Sequence, residues 1–223
     1  AVVIVSGNAV AMPWIDRVPA VLEAWFSGSE AGNALADVVF GAVNPSGKLP
    51  FTFPVRLEDN GAHALGEYPG ADKVKYNESI FVGYRWHDKE QLKPLFAFGH
   101  GLSYTAFAVG NVKADRTTLA PNGSIRISAD VTNTGDRAGA EVVQLYIGDE
   151  QSSLPRPVKE LKGFQKVSLN PGQTRTVTFE ITPGMLQYYD DAKGAWVAEP
   201  GAFTAYVGAA SDDIRGTVEF ELK

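Results

Sequence analysis

A layered α/β segment followed by an all-β sandwich is the fold class this sequence predicts, and three observations predict it. Residues 1–53 combine apolar, parallel-type strand runs with a helical pattern. Residues 54–97 are rich in Pro, Gly, Asn and charged residues and show weak periodicity. From about residue 105 onward, short alternating segments recur with turn signals between them.

The first element is Ala1-Val2-Val3-Ile4-Val5-Ser6-Gly7, which reads as a fully buried strand entering a turn. With neither an initiator Met nor a polar lead-in, it is expected to continue a domain begun upstream, so the chain reads as a fragment. Pro13-Trp14-Ile15 comes next, and residues 18–26 read as a short helix running into a strand. Residues 29–40 read as a helix capped by Ser29, with Glu30 in the first turn, an apolar face of Leu35, Val38 and Val39, and Gly41 as its stop. Residues 48–53 predict another strand, closed by Pro54. Two or three strands are too few to close such a domain. The half-domain and its unpaired edges therefore predict a missing half.

A stretch as long as residues 54–97 without clear elements is usually functional or covers something. It contains the apolar cluster Ile80-Phe81-Val82-Gly83-Tyr84 directly after Tyr76-Asn77-Glu78-Ser79. Beyond it, residues 125–131, 141–147, 174–181, 202–207 and 217–222 alternate in character. Asn133-Thr134-Gly135-Asp136, Asn170-Pro171-Gly172-Gln173, Asp191-Ala192-Lys193-Gly194 and Glu199-Pro200-Gly201 supply the turns. Roughly seven short strands over about 100 residues describe an immunoglobulin-like sandwich. Without a Cys…Trp…Cys spacing, fibronectin type III-like is the better description. The predicted domains are residues 1–104, including the Glu78 loop, and residues 105–223.

The 223 residues carry a net charge of -6, with Lys and Arg scattered, so no basic stripe exists to neutralise nucleic acid phosphates. There is no cysteine, which excludes disulfides and thiol chemistry. No apolar run is long enough to span a bilayer, and no membrane partner is predicted. His63, His87 and His100 show no metal-ligand spacing, and neither a phosphate loop nor a nucleophile elbow occurs, so no cofactor is predicted. His100 reads as a buried structural residue. The Asp190-Asp191 and Asp212-Asp213 pairs read as turn residues.

Several stretches are more specific. They are Glu30-Ala31-Gly32-Asn33-Ala34-Leu35-Ala36-Asp37-Val38-Val39-Phe40-Gly41, then Asn44-Pro45-Ser46-Gly47-Lys48-Leu49-Pro50, then Tyr76-Asn77-Glu78-Ser79-Ile80-Phe81-Val82-Gly83-Tyr84-Arg85. Phe98-Gly99-His100-Gly101-Leu102-Ser103-Tyr104-Thr105 follows, and in the sandwich Val131-Thr132-Asn133-Thr134-Gly135, Val143-Gln144-Leu145-Tyr146 and Lys159-Glu160-Leu161-Lys162-Gly163-Phe164. In this order they resemble glycoside hydrolase family 3. The resemblance implies an N-terminal barrel domain, an α/β sandwich domain and a C-terminal fibronectin type III-like domain. This chain would be the second half of the middle domain plus the whole third domain.

The resemblance also implies a retaining β-glucosidase that removes terminal non-reducing β-D-glucosyl residues from a β-glucoside or β-linked oligosaccharide. It assigns the general acid/base to Glu78 and the nucleophilic Asp to the barrel, so this chain alone is expected to be inactive and to need the barrel portion as its partner. A homodimer is open, and a periplasmic or secreted location is expected, with any signal upstream. The residue after the Glu is often Gly in the family and is Ser79 here, which restricts the local backbone.

A retaining glycosidase places two carboxyl groups about 5–5.5 Å apart across the scissile bond, one attacking and one exchanging the proton. Glu78, between Tyr76 and the apolar run, fits the second role; its bland alternative is a solvated surface charge. Arg85 is a candidate to orient a carboxylate through charge-assisted hydrogen bonds, or else a structural ion pair. Tyr84 and Trp86 are candidates for stacking on a sugar, or else packing. Glu30 is a candidate supporting residue, although the helix dipole alone accounts for an acid there. The alternatives are a non-catalytic carbohydrate-binding or interaction module, and another β-glycosidase such as a β-xylosidase.

Overall fold

Every residue from 1 to 223 is described by the computed structural model, and the chain divides into two units, residues 1–104 and 105–223. In the first, β1 (Val2–Ile4) pairs in parallel with β2 (Val21–Glu23), Val3 opposite Leu22. The parallel pairing agrees with the apolar character of both strands. β1 is not fully buried, however: its residues are half-buried or exposed, because two strands alone leave the sheet without cover on both faces.

The predicted helix ahead of β2 is absent. A single 3-10 turn over Ile15–Arg17 stands nearer the N-terminus, and the chain is extended at Val18, as a residue before Pro19 must be. Helix α1 spans Ala31–Val39 and ends where Gly41 takes φ +80°. Its capping position is Glu30 and not Ser29, and no side chain bonds the cap. Leu35 and Val38 are half-buried, whereas Val39 is exposed. The expected strand over residues 48–53 reduces to one antiparallel bridge, Phe53 to Phe96. Leu49 N–H still donates to the His100 carbonyl at 2.8 Å, and Phe53 N–H to that of Phe96 at 2.8 Å.

What fills the middle of this unit is aromatic. Trp25 meets Phe51 edge-on at 5.1 Å between ring centroids, Phe51 stacks on Phe53 at 6.0 Å, and Phe53 meets Phe96 at 6.4 Å. His100 stacks on Phe96 at 5.3 Å and is half-buried, not enclosed as expected. Two short helices complete the unit, α2 (Gly61–Ala64) and α3 (Tyr84–Lys89).

The second unit is a sandwich. Its strands are β3 (Phe107–Ala114), β4 (Thr118–Leu119), β5 (Ile125–Asn133), β6 (Gly139–Asp149), β7 (Glu160–Leu169) and β8 (Thr174–Ile181). After the short helix α4 (Pro183–Leu186) come β9 (Tyr188–Asp190), β10 (Ala195–Val197), β11 (Gly201–Ala210) and β12 (Asp213–Leu222). One sheet has the order β4-β12-β11-β6-β7, the other β3-β5-β8, and β9-β10 form a separate hairpin. All five predicted segments lie in strands. β3, β4, β7 and the two strands of the hairpin lie outside them.

Alternation builds the core: Ile125, Ile127, Ala129 and Val131 from β5 and Val177, Phe179 and Ile181 from β8 meet Val143, Leu145, Phe203, Ala205 and Val207. Each large apolar side chain so enclosed stabilises the fold by about 1.5–3 kcal/mol. Asn133 ends β5 inside this core, fully buried. Its amide donates to the carbonyls of Arg137 (2.7 Å) and Leu169 (3.0 Å), and its oxygen accepts from Thr105 Oγ1 (2.8 Å) and Gly135 N–H (3.1 Å). Asn133→Ala removes four hydrogen bonds from this buried position, and we expect it to lower the unfolding free energy by about 2–3 kcal/mol, read as a shift in the denaturant midpoint. A shift below about 0.5 kcal/mol would contradict this role.

Candidate functional site

The segment from Tyr76 to Lys89 carries four of the five candidate residues. Ser79 N–H donates to the Tyr76 carbonyl (2.9 Å) and Phe81 N–H to that of Glu78 (3.0 Å), so Glu78 sits inside two overlapping turns. Asn77 donates its side-chain amide to Glu67 Oε1, tying the turn back to an earlier part of the loop. Ser79 takes φ +55°, the left-handed region that glycine occupies freely and serine does not. Ser79 keeps a glycine-type conformation, and the restriction expected of a serine there is carried as strain.

Glu78 is half-buried, and its Oε2 is shielded from solvent with no hydrogen-bond partner in the chain. Of its neighbours in sequence, Tyr76 is 79% exposed and Ile80 and Val82 are also exposed, whereas Phe81 is half-buried. At Gly61, the first residue of α2, the space a side chain would take is bounded by the Glu78 Cβ and by the indole of Trp86.

Trp86 is 5% exposed, and its Nε1–H donates to the Asp59 carbonyl at 3.1 Å. Packing occupies it, and no broad ring face is offered to a sugar. Asp59 is itself held by Arg56, whose Nε (3.2 Å), second guanidinium nitrogen (2.7 Å) and backbone N–H (3.0 Å) all donate to its carboxylate. The guanidinium keeps the Asp59 carboxyl below the usual carboxylate range, against the opposing effect of burial. Lys89 Nζ lies 4.7 Å from the Phe81 ring centroid and 5.2 Å from that of Trp86, linking the far side of the turn to α3.

Tyr84 stacks on Phe98 at 5.0 Å, and the Arg85 guanidinium lies 6.0 Å from the Tyr84 centroid; both residues are half-buried. His87 is buried on the same helix, with Nδ1 3.0 Å from the Gly83 carbonyl. Glu30 is exposed, and its carboxylate accepts from Asn33 Nδ2 at 2.6 Å, a bond local to α1. No group of three or more His, Cys, Asp or Glu side chains converges on a common point.

Sequence reasoning passed over Arg56, Asp59 and Gly61, although Asp59-Asn60-Gly61 carried a turn signature. It also passed over Tyr189 and Trp196. These face each other across the β9-β10 hairpin, 52% and 65% exposed, with centroids 5.7 Å apart. The opposite face of that hairpin is anchored: Arg156 lies 5.4 Å from the Tyr188 centroid and bonds Asp149 (2.9 Å), Glu160 (2.9 Å) and the Leu186 carbonyl (3.0 Å). Lys193 holds the Asp190 carboxyl below its usual range. Asp190 also accepts from Ala192 and Lys193 N–H, the turn role expected of it.

Residues 1–104 match the glycosyl hydrolase family 3 C-terminal domain, and residues 141–211 the fibronectin type III-like domain. A β-glucosidase of Bacteroides ovatus is 54% identical over 222 residues, which are 98% of this chain and 30% of the relative. The thermostable β-glucosidase B of Acetivibrio thermocellus is 49% identical over 96% of this chain and 28% of its own length. Among solved structures, the Kluyveromyces marxianus β-glucosidase in complex with glucose aligns at a TM-score of 0.91 and 42% identity, covering 99% of this chain and 26% of that one. The Bifidobacterium adolescentis family 3 β-glucosidase aligns at 0.92 and 37% identity, covering 99% and 32%. The chain belongs to glycoside hydrolase family 3, as the C-terminal part of its α/β sandwich domain followed by a fibronectin type III-like domain. It spans less than a third of the length of these relatives.

The strained serine gives a direct test of the loop. Ser79→Gly keeps the left-handed conformation and relieves its strain of about 1 kcal/mol, and we expect the melting temperature to rise by up to about 2–4 °C. A fall in the melting temperature would show that the Ser79 side chain contributes more than the strain costs.

Proposed function

We propose that this chain is the part of a retaining β-glucosidase that carries the general acid/base, Glu78. The observation that supports this reading is the Glu78 carboxyl itself. It is half-enclosed in a turn held on both sides, with one oxygen shielded from solvent and uncommitted to any protein donor. A group whose task is to pass a proton to a substrate oxygen needs that uncommitted bonding capacity and a fixed position. In the first step Glu78 gives its proton to the leaving oxygen while an Asp on the barrel portion forms the glycosyl-enzyme. In the second step the Glu78 carboxylate takes a proton from the attacking water. Relatives at 54% and 49% identity are named β-glucosidases, which supports terminal β-glucosyl groups as substrates. The barrel portion is then the obligate partner, and residues 1–104 contribute the Glu78 loop.

Glu78→Ala in the complete enzyme is expected to lower kcat/KM about 10²–10⁴-fold for glucosides with poor leaving groups. A dinitrophenyl glucoside should lose far less in the first step, and added azide should restore turnover with glucosyl azide as product. Unchanged hydrolysis of cellobiose by Glu78→Ala would overturn the assignment.

One observation favours a second reading for residues 105–223, namely carbohydrate binding through the exposed Tyr189–Trp196 pair on its anchored hairpin. Aromatic faces of this kind take up the C–H face of a sugar. The chain is then depleted from solution by insoluble β-glucan, and Trp196→Ala weakens retention at least about fivefold, the loss of roughly 1 kcal/mol of ring contact. No depletion of the parent chain, or equal retention of Trp196→Ala, would exclude this reading.

A further inference from the structure

The contacts of Gly61 lead from Glu78 into the interior of the first unit. A methyl group built on Gly61 would stand 3.1 Å from Trp86 Cδ2, 3.2 Å from Trp86 Cε3 and 3.3 Å from Glu78 Cβ. All three distances are closer than ordinary van der Waals contact, so a neighbour would have to shift by a few tenths of an ångström. Gly61 is therefore a spacer between the indole and the base of the Glu78 side chain.

Which neighbour gives way is decided by how each is held. The indole is buried, its N–H is bonded to the Asp59 carbonyl at 3.1 Å, and Asp59 is fastened to Arg56 by two side-chain bonds and one backbone bond. Lys89 covers the ring as well. Glu78 has no comparable anchor, since only its backbone is held by turn bonds and its Oε2 has no donor. Trp86 is held through its side chain, and Glu78 through its backbone alone, so the Glu78 side chain is the part free to be displaced.

We infer that Gly61 and Trp86 are positioning residues for Glu78: the anchored indole walls one side of the space at Gly61, and the missing side chain there lets the base of Glu78 stand where it does. This inference rests on Glu78 being the acid/base. It adds that the location of the carboxyl is fixed by residues that never touch substrate. Asp59 and Arg56 act one step further back, by holding the carbonyl that holds the indole.

The test compares two substrates in the complete enzyme. Proton donation matters most when the leaving group is poor, so a displaced acid/base lowers kcat/KM for an alkyl β-glucoside more than for a dinitrophenyl β-glucoside. The ratio of the two constants is independent of the folded fraction, which keeps the experiment informative even if a variant is less stable. Gly61→Ala is expected to change this ratio about tenfold against the alkyl glucoside, and Trp86→Phe, which keeps a ring and loses the N–H, about threefold. Glu78→Ala is run beside them as reference. If Glu78→Ala discriminates strongly while Gly61→Ala and Trp86→Phe leave the ratio within about twofold of the parent, the positioning role is wrong and Glu78 keeps its assignment. If Glu78→Ala itself fails to discriminate, the acid/base assignment falls and this inference falls with it.

Discussion

Most of residues 50–104 run without regular secondary structure, so their backbone polar groups have no ladder in which to pair. The hydrogen bond from the Trp86 indole to the Asp59 carbonyl is the point at which two distant parts of this stretch become one object. It joins the 3-10 turn over Leu57–Asp59 to the helix over Tyr84–Lys89, and the turn carrying Glu78 lies between them in sequence. A neutral hydrogen bond contributes about 1 kcal/mol net, but a buried carbonyl left without its donor costs more. The bond matters because its loss leaves nothing equivalent to replace it.

The surroundings of that bond follow from the same constraint. Arg56 and Asp59 form a charge-assisted pair that immobilises the acceptor, and the Trp25, Phe51, Phe53 and Phe96 rings supply apolar contact that two short strands cannot. The two units thus solve stability differently. The second encloses an alternating core between two sheets, and the first relies on aromatic contacts and individually placed hydrogen bonds. An irregular segment held in this way suits a catalytic carboxyl, because loops carry chemistry best where a scaffold fixes them.

Legibility from the sequence tracked periodicity. Strands β5, β8 and β12 were readable because burial alternates along them, and β6 and β11 because they are apolar runs bounded by turn residues. β7 escaped notice because its register shifts opposite Leu145 and Tyr146, and its first half is only partly buried. The helix over residues 31–39 was found within two residues at its start, yet its cap was misplaced, since Ser29 and Glu30 both suit that position by composition. In the candidate site, Glu78 and its neighbours stood out by motif, whereas nothing local to Gly61 or Asp59 set them apart.

By itself, then, the sequence determined the helix over residues 31–39, five sandwich strands, the change from α/β to sandwich near residue 105, and the family, because periodicity and motif spacing are properties of short windows of chain. Only the tertiary structure decided which of the aromatic candidates is buried, which oxygen of Glu78 is shielded, and which residues stand behind it. Trp86 lies 27 residues from the carbonyl it bonds, and Gly61 is 17 positions before the glutamate that borders its side-chain space. Contacts across such separations are set by how the chain closes on itself, and no local pattern encodes them.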